Sequence, residues 1–124
     1  MRHITRIPAD KICAKIKFGG QTAMTLTATG NKDLLRLRLD GELDHHAASG
    51  TVRSIEEALR IYVPRALTLD LSGLAFMDSS GIAVILKAQR RACELGASMT
   101  IENVPERPRR VLEAAGIDRI VNLI

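Results

Sequence analysis

The chain has 124 residues, of which 46% are hydrophobic and 26% are charged, and its formal net charge at pH 7 is +4. This composition is typical of one globular domain and argues against both a disordered chain and a two-domain protein. With three aromatic residues and no tryptophan, the core must be aliphatic, and a surface that stacks on nucleic-acid bases is disfavoured. No apolar run approaches the roughly 20 residues of a membrane-spanning helix, and no signal-peptide pattern is present, so we predict a cytoplasmic protein.

The positive charge is concentrated at the N-terminus. Residues 1–20 hold five basic side chains and one acidic side chain, whereas residues 21–124 hold 13 of each sign. We therefore interpret residues 1–20 as a basic extension that is exposed to solvent and can be partly disordered. Residues 21–124 are interpreted as the domain. A nucleic-acid or membrane-surface arm is the alternative interpretation of the extension.

Two strands are predicted at the start of the domain. Residues 22–29 alternate small apolar residues with threonine, and residues 34–39 alternate leucine with arginine. The second pattern predicts a half-buried strand with its leucines in the core and Arg36 and Arg38 on the wet face. Asn31 and Lys32 are expected to form the hairpin turn between the two strands.

Helices and strands alternate over the rest of the chain. We predict a helix over 46–62 with Asp44 as its N-cap, because apolar residues recur there at helical spacing. Its predicted buried residues are Ala48, Val52, Ile55, Leu59 and Tyr62. A strand over 66–71, a helix over 80–95, a strand over 98–103 and a short helix ending at Gly116 follow. In the second helix, Leu86 and Cys93 are placed on the buried stripe.

The segment Asp78-Ser79-Ser80-Gly81 lies where a strand is followed by a helix. Either Asp78 or Ser79 can cap the helix, and the glycine leaves room for another surface to approach the backbone. A phosphate on Ser79 would be stabilised by the free N–H groups of the helix start and repelled by the carboxylate beside it. From physical chemistry alone, a helix cap without further function is the simpler interpretation.

Other chemistry is weakly supported. His45 and His46 diverge around a helix axis without a third ligand, so we predict a surface or packing role rather than a metal site. Glu42 and Asp44 are not accompanied by the sequence signature of a catalytic pocket. Ser79 and Ser80 are not flanked by the glycines that surround a hydrolase nucleophile. The segment Asp78-Ser79-Ser80-Gly81 also lacks the glycine spacing and the lysine of a phosphate-binding P-loop. We expect no enzyme activity, no catalytic residues, no cofactor and no metal.

Two separated motifs resemble those of the STAS-domain anti-sigma factor antagonists. They are Gly41-Glu42-Leu43-Asp44-His45-His46 and, after one helix and Leu67-Thr68-Leu69-Asp70-Leu71, Phe76-Met77-Asp78-Ser79-Ser80-Gly81-Ile82. The resemblance covers residues 24–124. It implies an α/β fold of the STAS type, with a mixed, mainly parallel sheet of about four strands covered by α-helices. The earliest strand is expected to add an N-terminal edge.

The resemblance also implies a function, which is regulation by partner switching. Such a protein, when unphosphorylated, binds an anti-sigma factor that is itself an ATP-bound serine kinase, and thereby releases a sigma factor. Phosphorylation at Ser79 would end the complex, and a serine phosphatase would restore it. The implied partner surface comprises Glu42, Leu43, Asp44, His45, Asp78, Ser80 and Gly81. Direct binding of nucleic acid or membrane is not expected.

The main alternative is a STAS scaffold or sensor subunit in a signalling assembly or beside a transporter.

Overall fold

The computed structural model describes residues 12–17, 24–30 and 33–124. Its elements in chain order are β1 (Ile12–Lys17), β2 (Thr25–Gly30), β3 (Leu34–Leu43), α1 (His45–Tyr62), β4 (Ala66–Met77), α2 (Ser79–Glu94), β5 (Ser98–Glu102), α3 (Glu106–Ala114), a 3₁₀ helix (Ile117–Arg119) and β6 (Asn122–Leu123).

The strands form one sheet in which spatial order follows chain order, β1-β2-β3-β4-β5-β6. β1 to β3 pair antiparallel, and β3 to β6 pair parallel, with helical segments in the connections. The predicted mixed and mainly parallel α/β sheet is confirmed. The structure adds one strand that we did not predict, β1, and the C-terminal tail, expected to dock as a short strand or a turn of helix, contains the two-residue β6. The predicted hairpin turn at Asn31 and Lys32 lies outside the described residues.

The leucines of β3 lie in the core, as predicted. Leu35, Leu37 and Leu39 are fully buried, whereas Arg36 and Arg38 lie on the opposite face of the sheet. This alternation arises because successive strand residues point to opposite faces. The three leucines belong to one hydrophobic cluster that also includes buried residues of α1, α2 and α3.

Strand β4 extends beyond the predicted 66–71 and ends at Met77. The added residues find backbone partners because β3 is also long: Leu74 lies beside Gly41, Phe76 beside Glu42 and Met77 beside Leu43. The register between β3 and β4 shifts at two irregularities in β3, one between residues 38 and 40 and one between residues 41 and 42. The two sequence motifs thus lie at the ends of two neighbouring parallel strands.

Helix α1 occupies the predicted range with a shifted buried stripe. Ile55 and Leu59 are buried as predicted, but Ala48, Val52 and Tyr62 are only partly buried. The other buried positions are Ala47, Thr51, Ser54 and Ala58. The hydroxyl of Thr51 is accommodated because it donates to the Ala47 carbonyl oxygen at 2.8 Å. Helix α1 also packs against α2, and Ala48 and Val52 line the groove between the two helices.

Two predictions for α2 are wrong. Cys93 is exposed, and Leu86 keeps 40% of its surface accessible. The buried residues are Gly81, Val84, Ile85, Ala88 and Ala92. Ala92 occupies the core position, and Cys93, the next residue, is rotated by about 100° around the helix axis. The helix ends within one residue of the predicted boundary, and Gly96 follows in the left-handed conformation at φ 79°.

The C-terminal segment docks as both a turn of helix and a short strand, with Ile117 and Val121 buried. Within the described part of the chain, no helix is long and apolar enough to cross a membrane.

Candidate functional site

The ends of β3 and β4 bring the two sequence motifs together. Leu43 and Met77 are register partners on these parallel strands, and the Asp78 N–H donates to the Leu43 carbonyl oxygen at 3.4 Å. Carboxyl ends of neighbouring parallel strands meet at one edge of a sheet. The segments Glu42–His45 and Met77–Gly81, 34 residues apart in the chain, therefore form one surface.

The two motifs have nearly the same local structure. Asp44 caps α1 with φ −107° and ψ −172°, and Asp78 caps α2 with φ −112° and ψ −166°. The Asp44 Oδ1 accepts from the Ala47 N–H at 3.0 Å, and the Asp78 Oδ1 accepts from the Ser80 N–H at 2.8 Å. Each carboxylate satisfies an N–H that the helix leaves free. The cap of α2 is thus Asp78, and Ser79 is the first helical residue.

Removing either cap is expected to destabilise the domain by about 1 kcal/mol. Asp44→Ala and Asp78→Ala each leave a helix N–H without its carboxylate acceptor, and urea denaturation followed by circular dichroism measures the loss. Glu42→Ala is the matched control, because Glu42 is exposed, lies in the same surface and caps no helix. A control change within about 0.5 kcal/mol is expected. Cap variants that unfold at the same urea concentration as the control would contradict this account.

Ser79 is exposed at the start of α2 and makes no side-chain hydrogen bond to the described part of the protein. The N-terminus of a helix carries about half a positive charge and free N–H groups, which favours an anion at this position. The Asp78 carboxylate already occupies one of these donors through Ser80. An added phosphate would therefore be favoured by the helix and disfavoured by its neighbour, so it would change the surface charge rather than the fold.

Gly81 and Leu43 lie buried beneath the surface that the two segments form. Gly81 is buried, and a β-carbon there would overlap Met77 Cγ and lie 3.0 Å from Met77 Sδ and 3.3 Å from Leu43 Cδ2. The close approach predicted at this glycine is therefore made by the protein's own Met77. Leu43 is fully buried in the core cluster. Both residues therefore help to position the segments Glu42–His45 and Met77–Gly81.

The rim of the surface is formed by Glu42, His45, Phe76 and Ser79, which are all exposed. Phe76 keeps 48% of its surface accessible although it is aromatic. His45 and His46 are both exposed, as predicted, and their rings pack edge to face with centroids 5.8 Å apart. Among the described residues, no group of three or more histidine, cysteine or acidic side chains could hold a metal ion.

A groove between α1 and α2, which the sequence does not predict, adjoins this surface at His45. Lys87, Arg90 and Arg91 of α2 line a cavity of about 500 Å³ together with Arg53 and other residues of α1. The signal in the sequence was the spacing of Ser79, Ala83 and Lys87, which places all three on one face of a helix.

Comparisons with known proteins agree with the geometry. A family model described as STAS domain matches residues 25–124. An anti-sigma F factor antagonist of Paenibacillus polymyxa is 33% identical over 91 residues, which is 73% of this chain and 78% of that protein. A second protein of the same name, from Lysinibacillus sphaericus, is 30% identical over 69% of this chain and 74% of its own length.

Solved structures show the same fold. The structure of the anti-sigma factor antagonist SpoIIAA in its unphosphorylated form matches with a TM-score of 0.69 and 25% identity, covering 82% of this chain and 88% of that chain. The phosphorylated form of the Bacillus protein SpoIIAA matches with a TM-score of 0.62 at the same identity, over 82% of this chain and 91% of that one.

Proposed function

Because the chain belongs to the STAS-domain family of anti-sigma factor antagonists, we propose that it binds an anti-sigma factor and thereby releases a sigma factor. The observation that carries the proposal is the position of Ser79. It is exposed, it follows the capping aspartate at the start of α2, and it lies beside the Glu42–His45 segment. A similar protein is known in an unphosphorylated and a phosphorylated form, which supports a phosphorylation switch here.

In this proposal Ser79 is the phosphorylation site and the anti-sigma factor is the ATP-dependent serine kinase. A phosphoserine adds roughly −1.5 to −2 charges and three acceptor oxygens. These charges would appear next to Asp78 and Glu42, on a surface that the partner must cover. The phosphate is tolerated by the helix start, so the protein stays folded while its binding surface is changed. A serine phosphatase would reverse the change.

The flanking residues divide into two groups by their burial. Glu42 and His45 are exposed, and Asp44, Asp78 and Ser80 are half-buried, so these five can touch a partner directly. Leu43 and Gly81 are buried, so they contribute to partner binding by holding the loops in place. We propose that the protein itself catalyses no reaction, acts in the cytoplasm, and needs no nucleic-acid or membrane contact.

The test is incubation of the purified protein with an anti-sigma factor kinase from the same genome and ATP, followed by mass spectrometry and a binding assay. We expect phosphate on Ser79 alone and loss of the complex on modification. Ser80→Ala is the matched control, because it alters the neighbouring hydroxyl and should leave phosphorylation intact. A stable complex that is indifferent to ATP would favour the scaffold function instead.

Two substitutions at Ser79 test the charge effect separately from the kinase. Ser79→Ala is expected to bind the anti-sigma factor like the wild type and to resist phosphorylation. Ser79→Asp is expected to weaken binding about tenfold, less than phosphorylation does, because one carboxylate has a smaller charge than a phosphate. Isothermal titration calorimetry measures both. Equal affinities for the alanine and aspartate variants would refute the electrostatic mechanism.

A further inference from the structure

The groove between α1 and α2 is continuous with the Ser79 surface. Its larger part, of about 500 Å³, is lined by Ser49, Val52, Arg53, Glu56, Lys87, Arg90, Arg91 and Glu94. Its smaller part, of about 260 Å³, is lined by His45, Ala48, Ser49, Val52, Ala83, Val84 and Lys87. Both parts share Ser49, Val52 and Lys87. We call the whole the α1–α2 groove.

The groove carries an excess of positive charge. Four basic residues and two acidic residues line its larger part. Arg91 is neutralised by Glu94, whose Oε1 lies 3.0 Å from Nη1. Arg53, Lys87 and Arg90 form no ion pair within the described part of the chain, although the domain as a whole offers as many acidic as basic side chains. Unpaired cations that converge on a concave surface attract an anionic partner.

The smaller part of the groove is mainly apolar. Small side chains line it on both sides, Ala48 and Val52 from α1 and Ala83 and Val84 from α2. Small residues let a helix or an extended segment approach closely, and the cations then flank it. An occupant therefore needs apolar residues along one side and acidic residues along another.

The groove begins at the candidate switch. Ser79, Ala83 and Lys87 are spaced four residues apart on α2, so they lie along one face, and Ala83 and Lys87 line the groove. On α1 the lining starts at His45, the first helical residue. The α1 wall thus starts at the surface formed by the strand ends, and the α2 wall starts at Ala83, about one helical turn after Ser79. A segment that leaves the groove at this end would pass close to Ser79.

We propose that the α1–α2 groove binds an acidic, amphipathic segment of the anti-sigma factor. The proposal rests on the proposed function, and it adds the chemistry by which the partner is recognised. Charge complementarity argues for this occupant over the protein's own N-terminal segment, since residues 1–20 carry five basic side chains and one acidic side chain. A phosphate on Ser79 would then repel the acidic segment at the mouth of the groove.

The test is the affinity of the full chain for the anti-sigma factor, measured by calorimetry over a range of salt concentrations. In Lys87→Glu/Arg90→Glu, two unpaired cations of the groove become anions, and we expect binding to weaken about tenfold or more and to lose most of its salt dependence. Arg107→Glu/Arg119→Glu is the matched control. It makes the same change in net charge at two exposed residues that do not line the groove, and it should bind like the wild type.

Folding of each variant is checked by its urea midpoint, and Lys87→Gln/Arg90→Gln replaces the charge-reversed variant if that one does not fold. Equal affinities of the groove variant and the control would overturn the groove proposal while leaving the switch at Ser79 intact. Absence of any wild-type complex would overturn the proposed function and this proposal together. Groove-dependent binding of ATP, with unchanged affinity for the anti-sigma factor, would identify a small-anion site and also overturn the proposal.

Discussion

Gly81→Val is expected to destabilise the domain by about 2 kcal/mol, because it overfills a packed position in the first turn of α2. A β-carbon at residue 81 would overlap Met77 Cγ and press on Leu43 Cδ2. The branched carbons of valine add to the overlap, and the surrounding side chains belong to the buried core. Met77 must therefore move, and it lies directly before the Asp78 cap.

Ala83→Val is the matched control for this substitution. Ala83 is exposed on the same helix, so valine there costs only the lower helix propensity of a branched residue, roughly 0.5 kcal/mol. Urea denaturation of both variants gives the comparison. We also expect Gly81→Val to bind the anti-sigma factor more weakly than the wild type, because Met77 and Asp78 would shift. If the two variants unfold at the same urea concentration, the tight packing at Gly81 does not limit stability.

Asp70→Asn is expected to cost about 2 kcal/mol at neutral pH, because it removes a buried charge from a satisfied network. Asp70 lies in β4 on the face opposite the leucine core and keeps 6% of its surface accessible. Its carboxylate accepts from Arg36 Nη2 at 3.0 Å, from the Ser72 N–H at 3.0 Å and from Asn103 Nδ2 at 3.4 Å. Arg36 also pairs with Glu102 of β5.

The network sets the pKa of Asp70 and with it a dependence of stability on pH. Burial raises the pKa, but the hydrogen bonds from Ser72, Arg36 and Asn103 outweigh burial, and the pKa is lowered overall. A lowered pKa in the folded state stabilises the protein above the pKa of the unfolded chain, which is about 3.9. This stabilisation is lost as the pH falls from there through the folded-state pKa. The difference between wild type and Asp70→Asn should therefore be constant near neutral pH and shrink below about pH 4.

Asp40→Asn is the matched control for Asp70→Asn. Asp40 pairs with Arg38 at 3.0 Å, but both side chains are more than a third exposed. Such exposed pairs contribute about 0–1 kcal/mol because water screens them. Thermal or urea unfolding of both variants at pH 7 and at pH 3 makes the comparison. A pH-independent cost of Asp70→Asn would show that the lost stability comes from packing and not from the charge.

Much of the fold could be predicted, because local sequence patterns determine most of its strands and helices. The alternation of leucine and arginine over 34–39 determined β3, since a slip of one residue would bury two arginines. Asp44 and Gly96 determined the start of one helix and the end of another through backbone hydrogen bonds that depend only on nearby residues. The motif around Ser79 also stands out in the sequence, although its role there depends on the family.

Tertiary contacts decided the rest. Cys93 was placed in the core because a helical stripe can be drawn through it, but packing against the sheet selects Ala92. Met77 belongs to β4 only because Leu43, 34 residues earlier, pairs with it. The α1–α2 groove depends on how two helices lie against each other, which no local pattern encodes. The sequence by itself therefore determined most of the elements, the Asp44 cap of α1 and the candidate switch residue. Only the tertiary structure decided which other residues form a surface with Ser79, because these residues are distant in the chain and meet only in the folded domain.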